Sequence, residues 1–200
     1  WRSQMNRELL REALFYPGTQ VKIKTVKDDS RAQIKDIEAF IRQKVDLLVV
    51  APNEAEAITP VIEKAYQSGI PVVLVDRKIK SEKYTAYVGA DNYEMGKQIG
   101  TYITSRLQGK GKIVELAGLR GSTPAVERHR GFLDVLHKCP DIKIVSTVDA
   151  GWFKDSAREA FDSILHCQPE IDLLFAHNDR MAAGAYEAAL RQSRNQEILF

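Results

Sequence analysis

The residues of this chain that could do chemistry stand directly after its most apolar runs. Asp76 and Arg77 follow Val72–Val75 with no spacer, and Asn53 follows Leu47–Val50 across Ala51 and Pro52. His177, Asn178 and Asp179 come after Ile171–Phe175, separated only by Ala176. Lys112–Ala117 leads into a Gly-containing loop and then Glu127, Arg128 and Arg130, while Ile142–Val148 leads to Asp149, Gly151, Trp152 and Phe153. Carboxylate, guanidinium, amide and indole together suit a polyol. A sugar hydroxyl donates one hydrogen bond and accepts others, so its site wants acceptors, forked donors and amides that do both. An aromatic such as Trp152 covers the apolar C–H face of the ring. Each residue also has a plainer role open to it. Asp76 and Arg77 can form a structural ion pair, Asn178 or Asp179 can cap a helix, and Trp152 can belong to the core. Concurrence at several strand ends is what favours the ligand role.

Enzymatic motifs are missing. There is no GxGxxG after the first available strand, no GxxxxGK[ST], no HExxH and no GxSxG. Gly109-Lys110-Gly111-Lys112 precedes a strand, where a phosphate loop precedes a helix, so it reads as a turn. The four histidines, His129, His137, His166 and His177, lie far apart without ligand spacing and read as surface residues. Cys139 and Cys167 show no metal spacing and are too few for a disulfide scaffold, so each reads as a small half-buried side chain. The expectation is a domain with no catalytic residue, no metal and no cofactor.

The elements that must position these residues alternate along the whole chain. The strand-like runs are Val21–Val26, Leu47–Val50, Val72–Val75, Lys112–Ala117, Ile142–Val148, Ile171–Phe175 and Ile198–Phe200. Leu47–Val50 and Val72–Val75 are wholly apolar, as parallel strands covered on both faces are. Between them lie helical stripes: Ile34, Ile37 and Ile41; Ile58, Val61, Ile62 and Ala65; Met95, Ile99, Ile103 and Leu107; Leu133 and Leu136; Ala157, Ala160, Phe161 and Ile164; Ala182, Ala185 and Ala189. Asn53 with Glu56, and Asp91 with Glu94, have capping-box spacing, and Thr123-Pro124 reads as an N-cap followed by Pro. Gly69 and Gly109 suit helix C-termini. Strict alternation of strand and helix implies an α/β fold with parallel sheets.

The alternation restarts after Tyr87-Val88-Gly89-Ala90, which divides the chain into an N-terminal lobe, 1–90, and a C-terminal lobe, 91–200. Each is expected to be a doubly wound parallel sheet. The first element is a helix, about Trp1–Phe15, whereas a doubly wound lobe opens with a central strand. A strand preceding Trp1 is therefore expected to lie outside these residues. Composition agrees with a globular protein: 44% hydrophobic and 28% charged residues over 200 positions, with a formal charge of +2. At this length roughly 70% of the unfolded surface can be buried. No basic stripe supports direct nucleic-acid binding.

The string Gly69-Ile70-Pro71-Val72-Val73-Leu74-Val75-Asp76-Arg77 with Gly89-Ala90-Asp91-Asn92 resembles the type I periplasmic binding proteins of the ribose and galactose class. Gly118–Phe132 and Phe175–Ala182 extend the match over essentially the whole chain. The opening WRSQMNREL, with APNEAEAI and DRKI, is still more similar to sugar-sensing domains of hybrid two-component sensors. The resemblance implies a two-lobed binding-protein fold, with the family's first strand and the part beyond Phe200 outside the sequence. It also implies sugar contacts at Asp76, Arg77, Arg128, Trp152, Asn178 and Trp1, with Asn53 substituting for an amide that ribose binders carry where this chain has Ala51. Arg2 replaces a second aromatic, which departs from ribose binders. The implied partner is a monosaccharide, held as the lobes close. The implied setting is the periplasm, as the sensor domain of a membrane-tethered histidine kinase, a transporter's binding protein, or the effector domain of a lac-repressor-type regulator, with a homodimer open to it.

Overall fold

A computed structural model describes residues 2–200. Trp1, and with it the reading of that indole as a sugar contact, lies outside the described residues. Chain order runs α1 (Arg2–Ala13), α2 (Ser30–Arg42), β1 (Leu48–Val50), α3 (Ala55–Gln67), β2 (Val72–Val75), β3 (Ala86–Val88), α4 (Asn92–Arg106), β4 (Gly111–Ala117), α5 (Thr123–Leu136), β5 (Ile142–Asp149), α6 (Lys154–Cys167), β6 (Leu173–Ala176) and α7 (Asp179–Arg191). The strands form two sheets, ordered β1-β2-β3 and β5-β4-β6, and every pairing is parallel. The expected α/β fold with two lobes, one on each sheet, is what forms. Within a parallel sheet all carboxyl ends reach the same edge, so the polar residues that follow the strands are delivered to a common rim.

Strand alternation divides the second sheet's side chains between two helical layers. Val114 and Leu116 point into a cluster with Ala157, Phe161 and Ala185 of α6 and α7, while Ile113 points into one with Ile103, Phe132 and Leu136 of α4 and α5. In the first sheet, Leu48, Val50, Val72 and Leu74 pack against Ile37 of α2 and Ile58, Val61, Ile62 and Ala65 of α3. Each Val, Leu, Ile or Phe among these stabilises by about 1.5–3 kcal/mol when fully buried. Helices α4 and α5 meet backbone to backbone: a Cβ on Gly96 would stand 2.1 Å from the Arg128 carbonyl oxygen, and one on Gly131 would stand 2.1 Å from that of Tyr93.

Several expectations are corrected. Val21–Val26 is not a strand; it pairs with none of the described strands, and a β conformation without a ladder partner leaves its backbone to water. Ala86–Val88, not among the expected strands, forms β3 and pairs in parallel with β2. Ile198–Phe200 contracts to one bridge between Leu199 and Leu173. The N-cap of α3 is Glu54, not Asn53, and that of α5 is Ser122, not Thr123, whose hydroxyl accepts from the Lys78 N–H instead. The α4 stripe is rotated: Gly96, Gly100 and Ile103 are buried while Met95 and Ile99 face outward, because only glycine allows α5 to come so close. Asp91 does cap α4, accepting from the Glu94 N–H at 2.9 Å. Gly69 and Gly109, with φ of 82° and 80°, take the left-handed conformation that ends a helix.

Candidate functional site

Past the end of β2 the chain turns sharply. Asp76 has φ 66°, and its N–H extends the ladder to Val88 O at 2.9 Å. Its carbonyl accepts from the Tyr87 hydroxyl at 3.2 Å, and its carboxylate is partly exposed, 43% by side-chain area. Arg77 is buried, and its Nη1 donates to the Asn53 carbonyl at 2.6 Å. Its Nε lies 3.8 Å from Asp76 Oδ2, close enough for charge attraction but not for a hydrogen bond. Burial, then the charge of Arg2, pulls the Arg77 guanidinium below its ordinary pKa, opposed by Asp76, Asp28 and Glu54.

Asn53 itself is buried and spent on scaffolding. Its side-chain amide donates to Ser30 Oγ at 3.0 Å, and its backbone N–H donates to Gln33 Oε1 at 2.8 Å. Gln33 also donates to Ala51 O at 3.0 Å, so one amide from α2 braces the end of β1. Asn53 thereby holds Arg77, and its side-chain amide is engaged with Ser30.

On the other lobe, Arg128 in the first turns of α5 donates from Nε to Asn92 Oδ1 at 3.0 Å and from Nη1 to the His177 carbonyl. Burial lowers its pKa and the Asp76 charge raises it, so one carboxylate acts on arginines of both lobes. Trp152 has φ 74°, and its indole lies flat on Gly118, where a Cβ would come within 2.2 Å of the ring. The guanidinium carbons of Arg77 and Arg128 stand 6.0 and 5.6 Å from its centroid, one from each lobe. Asn178 caps α7, accepting from the Met181 N–H at 2.8 Å, and its amide reaches Trp152 O at 3.4 Å. The plainer role suggested for Asn178 is thus fulfilled. The lobes touch where Lys78 N–H meets Thr123 Oγ1 at 2.9 Å and Ala55 N–H meets Gly121 O at 3.0 Å.

The residues that sequence reasoning missed lie just behind this rim. Glu115, on the same strand face as Ile113, is fully buried. It accepts from His129 Nδ1 of α5 at 2.9 Å, from His177 Nε2 at 2.9 Å and from Thr147 Oγ1 at 3.2 Å. Because the Gly118 N–H donates to His177 Nδ1 at 3.2 Å, the ring proton sits on Nε2, facing Glu115. His177 is 3% exposed, which corrects its reading as a surface residue: the charge of Glu115 draws it inward. Burial works to raise the Glu115 pKa, but the hydrogen bonds from His177 and His129 outweigh it and hold the carboxyl below its usual range. An acid in the middle of Ile-Val-Glu-Leu-Ala was the available signal, since a buried charge demands a partner.

The arrangement therefore presents one carboxylate, two guanidiniums and an indole at a rim shared by two lobes. Residues 1–200 match the family of the periplasmic binding protein domain. The chain is 33% identical over 182 residues to the ribose import binding protein of Bacillus subtilis, covering 91% of this chain and 58% of that protein. It is also 33% identical over 178 residues to the galactofuranose-binding protein of Escherichia coli, covering 86% of this chain and 56% of that one. The chain thus spans less than two thirds of either relative. Among solved structures, the fructose-binding periplasmic domain of a hybrid two-component system superposes with a TM-score of 0.96 at 54% identity, over 100% of this chain and 67% of that one.

Proposed function

The chain belongs to the periplasmic binding protein domain family, and from that premise we propose that it binds a monosaccharide between its lobes and signals by their closure. Asp76, Arg77, Arg128 and Trp152 contact the sugar, and Asn178 presents its remaining amide capacity beside them. Asn53 acts through Arg77. The lobes are 1–90 and 91–200, with the crossover near Val88–Asp91 as the hinge. One observation carries this reading: guanidiniums drawn from both lobes converge on the indole of Trp152, and that of Arg77 stands 3.8 Å from the carboxylate of Asp76. A ligand touching all of them favours the closed state, and that difference is what a partner reads.

We further propose a periplasmic sensor domain of a two-component system, supported by the 54% identity to such a domain along the entire chain. Service to a sugar transporter is the second reading, favoured by the import binding protein among its relatives.

The test is calorimetry with D-fructose, D-ribose, D-galactose and L-arabinose on the wild type and on Asp76→Asn. Asparagine tolerates the left-handed φ of 66° that alanine would strain, so the variant isolates the charge. Loss of one partner from a desolvated charged contact costs about 2–5 kcal/mol, so affinity is expected to fall at least tenfold with the circular dichroism spectrum unchanged. Equal affinity would remove Asp76 from the site.

A further inference from the structure

Two buried side-chain nitrogens among the described residues have no hydrogen-bond partner, Arg77 Nε and Trp152 Nε1. Buried N–H groups without an acceptor are rare, and functional sites are where they persist. These two come from opposite lobes and meet at the same rim, with the Arg77 guanidinium carbon 6.0 Å from the indole centroid. The indole nitrogen is a donor only. The guanidiniums of Arg77 and Arg128 near the ring are donors as well, and the His177 ring, 6.2 Å away, has its nitrogens engaged by the Gly118 N–H and Glu115. Trp152 is held where it stands. Its ring is pressed on Gly118, its backbone is held at φ 74°, and its carbonyl accepts from Asn178.

We propose that Trp152 is a hydrogen-bond donor that selects the ligand: its indole N–H and Arg77 Nε are matched to oxygen acceptors of the sugar. The inference rests on the sugar-binding reading and deepens it. An indole used only as a flat floor would tolerate many pyranoses and furanoses. One that also donates requires an oxygen with a free lone pair at a set position. A sugar hydroxyl meets the whole arrangement, because it can give its proton to Asp76 Oδ2 while accepting from Arg77 Nε, 3.8 Å from that oxygen. A second sugar oxygen then takes the indole N–H. Trp152 is thus a specificity-determining residue, with stacking and donation divided between its face and its edge.

The experiment compares wild type with Trp152→Phe, which keeps an aromatic face and removes the N–H. Whichever of D-fructose, D-ribose, D-galactose and L-arabinose binds the wild type is the probe, along with its monodeoxy analogues. Affinity for the parent sugar is expected to fall about tenfold in Trp152→Phe, the scale of one buried hydrogen bond. One deoxy analogue should lose a similar factor with the wild type and little with the variant. A measurement on the wild type guards against misfolding of the variant: with uniformly 15N-labelled protein, the indole N–H resonance of Trp152 should move downfield on saturation with the sugar. Affinities within twofold for every analogue, or an unmoved indole resonance in the saturated complex, overturn the proposal while leaving sugar binding intact. If the wild type binds none of the sugars, the sugar-binding reading falls, and this inference falls with it.

Discussion

Glu115 is the residue whose situation is most demanding, because a carboxylate sealed in a core must have its charge answered on all sides. Here His129, His177 and Thr147 supply the donors. The network also orders the rim: His177 is held by Glu115, its carbonyl takes Arg128 Nη1, and its ring lies 6.2 Å from that of Trp152. Since the folded state holds the Glu115 pKa below its unfolded value, the associated stability is fully present above that value and disappears as pH falls through the lower one. The unfolded value is about 4.3. Glu115→Gln should therefore be less stable than wild type at pH 7, by about 1–3 kcal/mol for a buried group left without its partner. The gap should narrow below about pH 4.3. Urea melts of both proteins between pH 3 and 7 check this; a gap that stays constant with pH would show that Glu115 is not ionised in the fold.

At the scale of elements, glycine decides how α4 and α5 meet. Gly96 and Gly131 each leave room for a facing backbone oxygen that a Cβ would approach to 2.1 Å, and a backbone cannot swing aside as a side chain can. Gly96→Ala or Gly131→Ala is expected to cost about 1–3 kcal/mol from overpacking, despite the better helix propensity of alanine. For a chain of this size each kcal/mol shifts Tm by about 2–4 °C. Thermal melts should place both variants well below wild type, with exposed Gln98→Ala as the neutral control. A Gly96→Ala protein that melts with the control would mean the helices stand further apart. The same contact explains why the apolar pattern of α4 misled: Met95 and Ile99 keep helical spacing but lie on its outer face.

At the scale of the whole molecule, the proposed function depends on how the two lobes meet. Besides the residues of the rim, the contact between Lys78 N–H and Thr123 Oγ1 joins the segment after β2 to the start of α5. Thr123→Val removes that acceptor at nearly constant volume. A hydrogen bond of this kind contributes about 0.5–1.5 kcal/mol, so sugar affinity is expected to fall by roughly two- to twelvefold, through a less populated closed state. Acrylamide quenching in a Trp1→Phe background, where Trp152 is the remaining indole, should show protection on adding sugar to the parent and less protection at equal sugar concentration in Thr123→Val. Unchanged quenching in a protein that calorimetry shows to be saturated would count against closure at Trp152.

What the chain itself determined was the order of its elements and the strand ends at which polar residues gather. Val72–Val75 and the helical stripe of Ile58, Val61, Ile62 and Ala65 were legible because period and apolar content are local properties. Asp76 and Arg77 were legible because they stand one step past such a run. Tertiary structure alone decided the rest, since it depends on which groups meet across long stretches of sequence. It paired Ala86–Val88 with β2 and left Val21–Val26 without a ladder. It turned Asn53 toward Ser30, where spacing had suggested a helix cap. It drew His177 and His129 onto Glu115 from 62 and 14 residues away. A buried charge chooses its partners by distance in space, which no local pattern of residues encodes.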